Sequence, residues 1–246
     1  MEEENIFDKI QEILGHMPST FNILEEQIDI DLQMEYFEHS RKLPRDLKPE
    51  EIIGRMEEVF IEGVPISNKK DLLVRLASID HVEAFRTIEK YLKNPDPEMR
   101  DWALLALQES RMLLESKLLD QNQIFISTGL GGKGHKLRYF IVLLTRNGTQ
   151  LTDLQEKVVR SEFTFFLERV NSELEEIEFH PSFVKLLVVI PMQITIKDLF
   201  DKIIAECNEY GGFLQKHFIL TNVKPLSNEE ILEFLEKKLN TGPLEE

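Results

Sequence analysis

The chain has 246 residues, of which 42% are hydrophobic and 30% are charged, a balance that excludes a disordered protein. Its formal net charge of −16 argues against a general nucleic-acid-binding protein, because phosphate neutralisation drives that binding. The single cysteine, Cys207, excludes an internal disulfide, and no apolar run approaches the roughly 18 residues that cross a bilayer. We therefore expect a cytoplasmic protein that does not contact a membrane.

Two domains are predicted, residues 1–120 and residues 121–246, because helical and strand-like patterns are segregated along the chain. The first 120 residues hold 15 basic and 27 acidic side chains, and the remainder holds 14 and 18. Apolar residues of the first domain recur at helical spacing, beginning with helices at about 6–14 and 21–40. Pro49 suits the first turn of a third helix. An all-α domain is therefore expected here.

Residues 80–107 follow a helix–turn–helix pattern whose turn is rich in proline. Asp96 stands at an N-cap position, and Pro97 takes the first helical position. The pattern resembles the turn and second helix of a HEAT-type repeat, and the resemblance extends over about 67–120. Such repeats stack into helical units, which usually need three or more copies for stability.

The HEAT resemblance implies a surface that binds a protein partner, and it implies no catalytic activity. The face near Arg100 and Trp102 is the expected contact surface for an unidentified protein. The alternative is that Trp102 and Met99 pack inside the helical unit and only support the second domain.

The second domain combines strands and helices. Apolar runs and capping boxes predict them in this order: strands at 124–126 and 137–144, a helix from Thr152, strands at 176–179 and 183–190, a helix at 196–207, a strand at 213–220 and a helix from Ser227. Without its first strand, this ββαββαβα order resembles a ferredoxin-like α/β sandwich, by element order alone. The strand at 124–126 is then either an extension at one end or a sign of a different sheet order. The predicted class is α+β.

A glycine-rich loop precedes the strand at 137–144 and fits the pattern G-x-G-x-x-G. A dinucleotide site needs this pattern before a helix, whereas a strand follows here. No acidic residue occurs from Gln121 to Thr152, so the loop is an isolated basic patch. Three interpretations stay open: a flexible hairpin, a site for a small anion or nucleotide, or a clasp that docks onto the acidic first domain. The candidate anion-binding residues are Gly129, Gly131, Gly132, Lys133, Gly134, His135, Lys136 and Arg138.

No pattern in the sequence predicts a catalytic, metal or cofactor site. The six histidines show no paired metal-ligand spacing, and a nuclease of the His-hydrophobic-His type would need a histidine where Ser182 stands after His180. The glutamates of 173–178 are interpreted as solvated surface without a partnered base, and Cys207 as a core residue.

The predicted function is that of a non-enzymatic interaction or scaffold protein with no nucleic-acid partner. The alternative is a regulatory domain that binds a small anion or nucleotide through the loop 129–138. A homodimer could form through an exposed edge of the predicted sheet.

Overall fold

The computed structural model describes residues 21–44, 48–120 and 123–240. The chain divides into two compact units between His135 and Lys136, whereas the sequence predicts a boundary after residue 120. The physical reason is a pair of short strands: β1 (Phe21–Ile23) lies parallel to β2 (Ile124–Ile126), which ties the segment after residue 122 to the first unit.

The first unit is otherwise helical. Its helices are α1 (Ile30–Arg41), α2 (Pro49–Ile53), α3 (Ile66–Ala77), α4 (Val82–Tyr91) and α5 (Arg100–Leu119), with 3-10 turns at Met56–Phe60 and Pro97–Met99. The helix predicted at 21–40 is therefore shorter than expected, because β1 occupies the first three residues of that range. Helix α1 begins after Asp29, whose carboxylate accepts hydrogen bonds from the N–H groups of Asp31 and Leu32.

Helices α3, α4 and α5 pack against one another around a core of large apolar side chains. Trp102, Leu73 and Ile88 in this core are fully buried. The turn before α5 is held differently from the prediction, because the Asp96 side chain makes no capping bond. Its carboxylate instead accepts hydrogen bonds from the buried Lys69 ammonium at 2.7 Å and from the Tyr91 hydroxyl at 2.6 Å.

The second unit contains a sheet of long antiparallel strands. Its elements are β4 (Lys136–Thr145), α6 (Asp153–Arg169), β5 (Glu173–Phe179), β6 (Phe183–Pro191), α7 (Ile196–Glu209), β7 (Leu214–Thr221) and α8 (Asn228–Asn240). A two-residue strand, β3 (Gly132–Lys133), lies before the boundary, in the first unit. The strands lie in the order β5, β6, β4, β7, and each neighbouring pair is antiparallel. The capping box predicted at Thr152 and Gln155 begins α6, with both of its hydrogen bonds formed.

Helices α6 and α7 pack side by side, α6 against β5 and α7 against β7. The centre of the Phe200 ring lies 5.4 Å from that of Phe163 in α6 and 5.3 Å from that of Phe218 in β7. Packed aromatic side chains therefore link the helices to the sheet. The chain is therefore an α+β protein. Among the helices of the described residues, none combines the length and the apolar character needed to span a bilayer.

Candidate functional site

Residues of the first unit pack directly against the glycine-rich loop. Gly129, Gly131 and Gly132 are buried. The N–H of Gly134 donates a hydrogen bond of 2.8 Å to the carboxylate of Glu25, and Gly131 lies directly against the backbone of Glu25 and Glu26. The backbone N–H at the tip of the loop therefore already holds an anion, which comes from the acidic part of the first unit. This contact corresponds to the docking interpretation of the loop.

Two of the cations predicted for the anion site pair with carboxylates of β5. Lys136 pairs with Glu173 of β5 at 3.3 Å. Arg138 reaches across β6 and donates two hydrogen bonds, of 2.5 and 3.0 Å, to the carboxylate of Glu175. The exposed His135 ring instead packs edge-on against Phe21 at 5.0 Å. The exposed Lys133 lies on β3.

The interpretation of the glutamates at 173–178 as a cluster without a partnered base is wrong. Beside the pairs of Glu173 and Glu175, Glu178 lies within 3.5 Å of both His180 and Lys185. Hydrogen bonding to His180, with a further contribution from Lys185, holds the pKa of Glu178 below its usual value. These carboxylates neutralise basic residues of the sheet.

The expected partner-binding face contains one residue that cannot contact a partner. Trp102 is fully buried: its indole N–H donates to the carbonyl oxygen of Lys70 at 3.2 Å, and the Lys70 ammonium lies 4.2 Å from its ring. The prediction that Trp102 forms a partner surface is wrong, and the packing alternative fits its position. Arg100 is exposed and pairs with the neighbouring Asp101.

The described residues contain no group of three His, Cys, Asp or Glu side chains positioned to hold a metal ion. The prediction that Cys207 lies in the core is confirmed. Burial, with smaller contributions from Glu162 and Glu206, raises the pKa of its thiol to about 12.

A surface that the sequence analysis missed lies on α6 and α7. It consists of Phe165, Phe166, Arg169 and Lys202, and we call it the aromatic–basic surface. The Phe165 side chain is 50% exposed. The Arg169 guanidinium lies 5.3 Å from the centre of the Phe165 ring, and the Lys202 ammonium lies 5.2 Å from that of Phe166.

Neither cation of the aromatic–basic surface forms an ion pair with a carboxylate of the described residues. The two rings meet edge-to-face at 5.3 Å, so each ring is fixed by a ring and by a cation. One sequence signal could have revealed this surface. Phe165 lies off the apolar stripe of Val159, Phe163 and Phe166 on its helix, which predicts that its ring faces solvent.

No family model matches the chain, and no curated protein matches it. The chain is similar to the crystal structure of a putative transposase from Deinococcus radiodurans, with 20% identity and a TM-score of 0.38 over 44% of this chain and 94% of that one. It is also similar to a REP-associated tyrosine transposase bound to a REP hairpin, with 12% identity and a TM-score of 0.32 over 43% of this chain and 68% of that one.

These comparisons overturn three predictions. Both similar structures are named transposases, and one of them is bound to a REP hairpin. These neighbours contradict the predicted non-enzymatic interaction or scaffold protein, the protein-binding role drawn from the HEAT resemblance, and the expected absence of a nucleic-acid partner, and none of these three is retained. The prediction of no nucleic-acid partner used only the net charge of −16, and a sum over the chain cannot show where unpaired cations lie.

Proposed function

We propose that the second unit binds single-stranded nucleic acid through the aromatic–basic surface. The observation that carries the proposal is the half-exposed Phe165 ring, which lies beside a guanidinium that no carboxylate of the described residues neutralises. Aromatic side chains on a surface stack with unpaired bases, and cations beside them attract the phosphates that link those bases. Phe165 would stack with a base, and Arg169 and Lys202 would contact the adjoining phosphates.

The distribution of charge within the second unit supports this assignment. Lys136, Arg138 and Lys185 pair with the glutamates of β5, so they are neutralised. Arg169 and Lys202 instead lie against aromatic rings, and their charges remain available to an external anion. Because the chain carries a net charge of −16, we expect weak binding that depends more on stacking than on phosphate contacts.

The test is a fluorescence anisotropy titration of labelled oligonucleotides of about 16 nucleotides, long enough to cover the site of one domain. Single-stranded DNA, single-stranded RNA, a DNA hairpin and a DNA duplex are compared at constant ionic strength. We expect the single strands, and the hairpin through its loop, to bind more tightly than the duplex, since only unpaired bases expose their faces.

The variant Phe165→Ala should weaken binding about 5- to 150-fold, since one stacked base contributes about 1–3 kcal/mol. Leu154→Ala is the matched control, because Leu154 is a 72% exposed apolar residue of the same helix outside the aromatic–basic surface. The proposal fails if the parent binds none of the oligonucleotides, or if the two variants weaken binding equally.

We further propose finer assignments for the two units. The strand order β5, β6, β4, β7 with α6 and α7 packed side by side supports a ferredoxin-like sandwich for the second unit. The mutual packing of α3, α4 and α5 supports a HEAT-like arrangement over 67–120.

A further inference from the structure

A groove of about 400 Å³ lies between α1 and α3 in the first unit. His39 and Lys42 line it from the end of α1, Asp71 and Arg75 line it from α3, and Leu43 adds an apolar wall. A groove of this size suits a small molecule, and its few polar groups would fix the orientation of that molecule.

Both carboxylate oxygens of Asp71 have partners in the groove. Its Oδ1 lies 3.2 Å from His39 Nε2, and its Oδ2 accepts a 2.6 Å hydrogen bond from Arg75 Nε. Partial burial opposes ionisation, but the hydrogen bonds from Arg75 and His39 outweigh it and lower the pKa of Asp71. Asp71 therefore stays charged and holds the Arg75 guanidinium by one edge.

The other acidic side chains of the rim already have partners. Glu38 pairs with Lys42 at 3.3 Å, and Glu35 pairs with Lys70 at 2.8 Å. The two terminal nitrogens of Arg75 form no hydrogen bond with any of the described residues. A guanidinium held at one edge presents its remaining donors in the fork geometry that matches two oxygens of one anion.

We propose that Arg75 binds an oxyanion of a small ligand, a carboxylate or a phosphate group, in the groove between α1 and α3. Arg75 makes the contact, and Asp71 is a positioning residue that orients the guanidinium. The site lies in the first unit, so it does not depend on nucleic-acid binding by the second.

Trp102 provides a built-in reporter of this groove. It is the only tryptophan of the chain, it is buried, and the His39 ring lies edge-on to it at 5.8 Å. The full chain is titrated with sodium phosphate and with sodium acetate at constant ionic strength and pH, and binding is followed by tryptophan fluorescence and by calorimetry. Methylammonium chloride is the cation control.

We expect a saturable signal with phosphate or acetate, and the anion that saturates at lower concentration identifies the ligand group. Arg75→Lys keeps the positive charge but removes the pair of N–H donors that matches two oxygens of one anion, so it should weaken binding about tenfold or more. Arg86→Lys is the matched control, because Arg86 also pairs with a carboxylate but lies on the exposed surface, 68% accessible. Melting temperatures identify a variant that fails to fold, and Asp71→Asn then serves as the second test of the same site.

Any of three results overturns the proposal. The first is that neither fluorescence nor calorimetry shows a saturable signal with phosphate or with acetate. The second is equal affinity in the parent and in Arg75→Lys, and the third is the same signal with methylammonium.

Discussion

The structure leaves no room for a side chain at Gly131. A methyl group at this position would lie 2.5 Å from the carbonyl oxygens of both Glu25 and Glu26, distances that real Cβ atoms do not adopt. These oxygens belong to the backbone that follows β1, so they cannot move aside without disturbing the β1–β2 pair. Gly131 also has a positive φ of 66°, which disfavours any other residue.

Gly131→Ala should therefore lower the free energy of unfolding of the first unit by about 2–5 kcal/mol. About 1–2 kcal/mol comes from the left-handed backbone conformation and about 1–3 kcal/mol from steric overlap. Gly134→Ala separates the two causes, because Gly134 has a φ of 60° but nothing within 4 Å of the added methyl group. Urea unfolding followed by Trp102 fluorescence measures both variants. Equal destabilisation by the two substitutions would refute the close packing of Gly131 against the backbone of Glu25 and Glu26.

Two further predictions concern buried polar groups. Lys69→Met should lower the free energy of unfolding by about 2 kcal/mol near neutral pH, less than for a fully buried pair because Asp96 is 37% exposed. Lys69 first, and then Tyr91, lowers the pKa of Asp96, so this stabilisation is lost as pH falls below about 4, and urea unfolding at low pH should show a smaller difference between variant and parent. Cys207, with its pKa raised to about 12, should resist a thiol-specific chromogenic reagent at about pH 8 until urea unfolds the second unit, and immediate reaction of the native protein would contradict its burial.

Local signals predicted most of the second unit. The capping boxes at Thr152 and Ser227 lie within four residues of their partners, and both form as the spacing indicates. The continuous apolar run predicted as the strand 137–144 is Lys136–Thr145 in the structure. Short-range hydrogen bonds and burial on both faces dictate these elements, so a single sequence suffices to locate them.

Long-range pairings were not predictable from the sequence. The parallel pairing of Phe21 with Ile124 joins segments about a hundred residues apart, and neither three-residue strand has a pattern that selects its partner. The same limit applies to the groove, because Asp71 lies 32 residues from His39 in the chain and meets it only after α1 and α3 pack. For the aromatic–basic surface, helical periodicity identifies the exposed ring of Phe165, but the pairing of Lys202 with Phe166 depends on how two helices pack.

The pairing of Arg138 with Glu175 places one glutamate of the acidic strand β5 in an ion pair within the sheet. Glu175 is the extra residue of a bulge in β5, where the register against β6 shifts between Leu174 and Glu176. The bulge gives Glu175 a position between regular pairs, and the long Arg138 side chain reaches it from the strand beyond β6. Both side chains are partly shielded from solvent, with 14% and 24% exposure, so the pair should contribute more than an ordinary surface ion pair.

A double-mutant cycle with Arg138→Met and Glu175→Gln measures that contribution directly. We expect a coupling energy of about 1–2 kcal/mol, above the roughly 0.2–1 kcal/mol of exposed pairs, because the contact is bidentate and partly desolvated. The accessibility of the Cys207 thiol during urea unfolding reports on the second unit, which lacks the tryptophan of the first. A coupling energy near zero would mean that the two charges only lie side by side, and that the bulge holds its position through backbone pairing alone.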